Sequence, residues 1–186
     1  MSSTFPHRRR SVRVPGYDYS QPGAYFVTIC VRDRECLLGD VVEERVVLND
    51  VGRIVHDSWN RIPHHFPHVV TDAFIAMPNH VHGILIIVDH VGATHASPLQ
   101  LDETNRRCGP KSGSLGAIVG SFKSAAARRI NRFRDTAGVP FWQRGYYEHI
   151  LRDDAELERV RDYILSNPYT WDIDEDNPSP MEGATR

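Results

Sequence analysis

Between residues 24 and 31 the chain reads AYFVTICV, with Tyr25, Val27, Ile29 and Val31 at one parity and Phe26, Thr28 and Cys30 at the other. Period two with both parities largely apolar predicts a strand partly covered on both faces. The period then lengthens. Val51, Ile54, Val55, Trp59 and Ile62 fall at helical spacing, so a helix is expected from about Asp50 to Arg61, with Asn49 as its N-cap and Pro63 as its stop. Val69 to Met77 reads as a second strand, Pro78-Asn79 interrupts it, and His80 to Val88 follows as a third. In that third strand Ile84, Ile86 and Val88 face one way and Leu85 and Ile87 the other, which predicts a central position.

Farther along, Leu115, Ile118, Val119, Phe122, Ala126, Ile130 and Phe133 form the buried stripe of a helix from about Leu115 to Arg134, capped by Ser112 or Ser114. The aromatic run Phe141 to Leu151 reads as a fourth strand. Asp153, Asp154 and Glu156 suit the N-terminus of a last helix, which Asn167-Pro168 ends. The resulting order predicts an α+β fold: a ferredoxin-like (RRM-like) βαββαβ sandwich with an antiparallel sheet, two helices on one face and an added C-terminal helix. The flanks divide the chain into a basic arm (1–22), the domain (23–171) with a polar, aperiodic and mobile linker inside it (89–113), and an acidic tail (172–186) with the composition of disorder.

Composition fits one domain of ordinary size, since 40% of the 186 residues are hydrophobic and 25% charged. No stretch reaches the roughly 18 apolar residues of a membrane span, and no apolar segment follows the basic N-terminus, so a cytoplasmic protein is expected. Cys30, Cys36 and Cys108 show no C-x-x-C spacing and support neither a disulfide framework nor a zinc knuckle. Charge changes the picture more. The formal net charge of −2 conceals blocks of +4 (residues 1–34), −5 (35–110), +6 (111–152) and −7 (153–186). Two segregated basic blocks are what a local polyanion footprint requires, although solvated helix faces give the same composition.

The candidate chemistry begins at His80 and His82. Two apart on a strand, they point to one face, as a metal site requires. In a chain with ten histidines, the number of such pairs expected by chance is on the order of one half, and a hydrogen-bonded or exposed pair is the common alternative. Tyr163 and Asn167, four apart on the last helix, share a face beside the stripe of Leu157, Val160 and Ile164. If that helix packs on the sheet face with the histidines, His80, His82 and Asn167 can coordinate one divalent ion with Tyr163 beside it. A core-edge tyrosine and an Asn helix cap are the simpler reading of the second pair.

The blocks MPNHVHGILI (77–86), GSFKSAAARRIN (120–131), FWQRGYYEHILRD (141–153) and RDYILSNPYTW (161–171) resemble, in order and spacing, the REP-associated tyrosine transposases, which belong to the single-tyrosine HUH transposases of bacterial insertion sequences. The resemblance covers roughly residues 23–171. It implies a metal-dependent single-stranded DNA endonuclease and strand transferase, with His80 and His82 as the metal-binding pair, Asn167 as the third ligand and Tyr163 as the nucleophile. Two imidazoles and an amide oxygen leave positions open and suit Mg2+ or Mn2+ working with substrate ligands more than a closed zinc site. The implied intermediate is a 5′-phosphotyrosine, and the implied substrate a hairpin beside a short single strand. Joining two ends then needs a homodimer or successive turnovers.

Arg8, Arg9, Arg10 and Arg13 of the arm, and Lys123, Arg128 and Arg132 of the second helix, are the candidates to follow the phosphate backbone. Glu148 and His149 match a recurring pair, with support of the site and plain strand packing equally open. Tyr146 and Tyr147 are rival nucleophiles without an i+4 polar partner. Two other functions compete: a non-catalytic single-strand-binding module of the same fold, and a metal-dependent small-molecule enzyme that would recruit Glu148 or His149 as its third ligand.

Overall fold

The alternating segments assemble into one antiparallel sheet in the computed structural model, which describes residues 14–89, 110–174 and 176–178. Strands β1 (Gly23–Cys30), β4 (Val69–Ala76), β5 (His80–Ile87) and β6 (Tyr147–Leu151) lie in the order β4-β5-β1-β6. This is the ferredoxin-like order, with β5 internal as its two-sided apolar pattern predicts. A separate hairpin, β2 (Gly39–Val42) and β3 (Arg45–Leu48), stands between β1 and helix α1 (Asp50–Asn60). It is an insertion that the hydrophobic pattern does not predict.

Asn49 caps α1 by accepting a hydrogen bond from the Gly52 amide, and Ser114 does the same for α3 (Leu115–Phe133) from the amide of Ala117. Pro63 ends α1 as expected, but it also opens a further turn, α2 (Ile62–His65). A proline at the start of a helix loses no intrahelical bond. α1 and α3 cover one face, where Trp59, Ile118, Phe122 and Ile130 pack on Tyr25, Val27, Val81 and Leu85.

Helix α4 (Asp154–Ser166) covers the opposite face, setting Val160 and Ile164 on Phe26, Ile84 and Leu151. Burying those two α4 side chains stabilises the docked helix by about 2 kcal/mol each relative to exposure. A bulge in β4 between Thr71 and Phe74 breaks the register with β5, and within it Asp72 pairs with Arg161 of α4. The predicted fourth strand starts late. Phe141 to Tyr146 instead form an irregular segment with Gly145 at φ 81°, joined by one isolated bridge between Trp142 and Val31, the residue after β1, and regular pairing with β1 begins at Tyr147.

Pro168 ends α4, yet the chain continues through a 3-10 helix, Asn167–Ile173. The start of the segment read as a disordered tail is therefore structured, and Asp176 is buried beneath Arg34, with which it forms an ion pair. Most of the 89–113 linker lies outside the described residues. No helix among those described is long and apolar enough to cross a membrane.

Candidate active site

Strand period two puts His80 and His82 on the face that α4 covers, level with Cys30 and Thr28 of β1. Both rings are fully buried, and their Nε2 atoms stand 3.0 Å apart. Each Nδ1 is engaged from behind: that of His80 lies 2.8 Å from Oδ1 of Asn79, and that of His82 lies 2.8 Å from the Thr28 hydroxyl. Partners of this kind on the outer ring nitrogen orient imidazoles whose inner nitrogens bind a cation.

Asp153 fixes the start of α4 by accepting the Glu156 amide at 2.7 Å, and three turns later the helix delivers Tyr163 to His82, with Asn167 hydrogen-bonded to the tyrosine. The phenolic oxygen of Tyr163 is 3.5 Å from Nε2 of His82, and Phe26 meets the tyrosine ring edge-on. Burial pushes the Tyr163 hydroxyl up to about 12; the nearby Asp174 carboxylate adds to the shift, and a hydrogen bond from Asn167 opposes it.

Asn167 is itself buried, and its Oδ1 has no hydrogen-bond partner among the described residues. An orphaned amide oxygen costs free energy unless something occupies it. Two inward-facing imidazole nitrogens and this oxygen are a donor set that fits one divalent cation. Among the described residues no three His, Cys, Asp or Glu side chains gather into such a site.

The structure separates the remaining candidates. Glu148 pairs with Val27, so it points to the α1/α3 face, across the sheet from the histidines. It can neither support the site nor ligate in it. His149 is on the α4 face, but its Nε2 bonds the Glu156 carboxylate at 2.7 Å and ties β6 to the first turn of α4. The small-molecule enzyme loses both proposed third ligands.

Lys123 is half-buried and donates to the carbonyls of Gln143 and Gly145, each at 2.7 Å, so its ammonium braces the turn before β6 instead of facing a phosphate. Arg128 and Arg132 are exposed on α3, and a helix diameter of about 10 Å plus the sheet stands between them and Tyr163. Arg8, Arg9, Arg10 and Arg13 lie outside the described residues. Tyr146 packs in the core under α3, whereas Tyr147 reaches the site face beside Phe26. Sequence reasoning missed Thr28 and Asn79. Asn79 precedes the H-x-H pair directly, and an amide there was the available signal.

No family model matches the chain. It is 40% identical over 169 residues to an uncharacterized protein of Haemophilus influenzae, spanning 91% of this chain and 93% of that one. A second protein of that organism, named "Putative REP-associated tyrosine transposase", is 26% identical over 155 residues, covering 81% of this chain and 73% of its own. The solved structure of a REP-associated tyrosine transposase bound to a REP hairpin shares the fold, with a TM-score of 0.54 and 16% identity over 90% of this chain and 74% of that one. Ordered motifs, sheet order and these likenesses agree: the chain resembles the REP-associated tyrosine transposases and shares the fold of one of them.

Proposed function

We propose that the protein cleaves and rejoins single-stranded DNA through Tyr163. The observation that carries this reading is the buried Tyr163 phenol beside the paired His82 and His80 imidazoles, with Asn167, whose amide oxygen is unpartnered among the described residues, hydrogen-bonded to that phenol. His80, His82 and Asn167 would hold Mg2+ or Mn2+, whose chemistry here is to polarise the scissile phosphate and offset its charge. α4 supplies orientation: with Val160 and Ile164 anchored in the sheet, the phenol is held to one approach toward the phosphorus.

Attack by the Tyr163 oxygen forms a bond to phosphorus and breaks the bond to the 3′-oxygen. The phenolic proton ends on that oxygen, leaving a 5′-phosphotyrosine and a free 3′-OH. The ester count is unchanged, so a later 3′-OH can reverse the step without ATP. A hairpin flanked by single strand is the proposed substrate, by analogy with the structural neighbour bound to a REP hairpin, and the proposed place of action is the nucleoid in the cytoplasm. One nucleophile per chain makes joining of two ends the task of a homodimer or of successive turnovers.

The test is a search for an SDS-stable adduct on hairpin-flanked single-stranded DNA labelled 3′ of the cleavage site, with Mg2+ or Mn2+. Adduct from the wild type and none from His80→Ala or His82→Ala supports the reading. Tight DNA binding with no adduct and no bound metal would mark a non-catalytic binding module.

A further inference from the structure

The two histidines are backed by unlike partners. Nδ2 of Asn79 donates to the backbone carbonyls of Asp176 at 2.6 Å and Arg34 at 3.2 Å. Turning the amide over would set oxygen against two oxygens, so Oδ1 is the atom that faces His80, and an oxygen there accepts a proton. Nδ1 of His80 therefore carries the hydrogen, and its Nε2 presents a lone pair. The Thr28 hydroxyl behind His82 imposes no such choice, because it can donate or accept.

We propose that Asn79 is a positioning residue that locks His80 in its Nδ1–H form, while Thr28 lets His82 change tautomer as a cation binds. Without a cation, two lone pairs at 3.0 Å would repel, so Nε2–H of His82 donates to Nε2 of His80 and the Thr28 hydroxyl donates to Nδ1 of His82. Were His82 to bind a cation through Nε2, its proton would reside on Nδ1 and the Thr28 hydroxyl would turn to accept it. Both imidazoles stay neutral, so the change needs no net uptake or loss of protons. Asn79 is held by a carbonyl after β1 and another beyond the 3-10 helix, which makes both segments part of the site's frame. The cation-bound half rests on the metal reading above; the tautomers of the metal-free protein do not.

Long-range proton–nitrogen NMR of the imidazoles, recorded on the full chain above the imidazole titration range, reads both tautomers directly. Metal-free wild type should show Nδ1–H at His80 and Nε2–H at His82, and Zn2+, used as a diamagnetic probe, should convert His82 to Nδ1–H. Asn79→Leu should scramble the His80 tautomer and weaken Zn2+ binding about 10–100-fold, and Thr28→Val should weaken it comparably while leaving the His80 pattern alone. His80 found as Nε2–H in the wild type, which needs no variant to fold, would overturn the proposal. So would an unchanged His80 tautomer in Asn79→Leu. If the wild type shows both metal-free tautomers but takes up no Zn2+, the metal reading and the His82 switch fall together, and the Asn79 lock stands.

Discussion

The Tyr163 hydroxyl and Nε2 of His82 lie 3.5 Å apart although 81 residues separate them in the chain. Neither residue is near the other by local structure. The contact exists because β5 is internal in the sheet and α4 closes over the face that the α1/α3 layer leaves uncovered. Val160 and Ile164 pack α4 on that face of the sheet, and the Asp72–Arg161 ion pair ties the helix to the β4 bulge. The separation of tasks makes each removable alone.

Tyr163→Phe removes the attacking atom and keeps the ring that packs against Phe26. The variant should fold, bind metal and bind single-stranded DNA as the wild type does, with covalent adduct reduced below detection. Tyr147→Phe, whose hydroxyl is also pushed up by burial on the same face, should still form adduct. Adduct that persists in Tyr163→Phe and vanishes in Tyr147→Phe would move the nucleophile to β6.

Gly83 follows His82 and faces α1. A Cβ there would sit 2.4 Å from Cζ2 of Trp59, a fully buried ring stacked on Phe74 at 4.6 Å, so neither ring can yield without disturbing the other. Gly83→Ala should cost about 1–3 kcal/mol in denaturant unfolding, through displacement of β5 relative to α1. Because the same strand carries the histidines, cleavage should fall with stability. Unfolding within about 0.5 kcal/mol of wild type would show that the Trp59 pocket has slack the structure does not suggest.

Much of this arrangement was legible in the chain. Period two in β1 and β5, helical stripes in α1 and α3, the cap Asn49, a serine cap at 112 or 114 and the acidic start of α4 near Asp153 each rest on interactions between near neighbours in sequence. What was illegible depends on pairing between distant segments. Glu148 sits one residue from His149, and only the register of β6 on β1 decides which of them faces the site. The β2–β3 hairpin turns through Glu43 and Glu44, both at positive φ, where an Asn-Gly signal would have announced it. Lys123 looked like a free cation on a helix face because nothing local says that the carbonyls of Gln143 and Gly145 come to meet it.

Acid should loosen α4 before the rest of the fold. The Arg161 guanidinium holds the Asp72 carboxyl below the usual carboxylate range, and a hydrogen bond from His149 does the same for Glu156. A depressed folded pKa contributes stability that is complete above the unfolded value, near 4, and lost as pH falls through the folded one. Asp72→Asn should lower Tm by about 2–4 °C at pH 7 and by progressively less below about pH 4, where the unfolded wild-type carboxyl protonates first and the folded one follows at lower pH. A gap as large at pH 2.5 as at pH 7 would show that Asp72 acts through packing and not through its charge.

Arg128 and Arg132 test where the DNA runs. They are exposed on α3, on the far side of the sheet from Tyr163, so a strand lying only in the site does not reach them. A substrate with a structured flank can reach them by passing round a sheet edge. Neutralising both with Gln should therefore leave the affinity of a short unstructured oligonucleotide unchanged. For hairpin-flanked DNA the same change should weaken binding and flatten the salt dependence by about 0.7–0.9 log units for each phosphate the protein ceases to neutralise. Cleavage at saturating DNA should be unaffected in both cases, because no charge near the scissile phosphate has been altered. Equal weakening for the short oligonucleotide and the hairpin substrate would place these arginines on the path of the strand entering the site, and the route round the sheet edge would have to be abandoned.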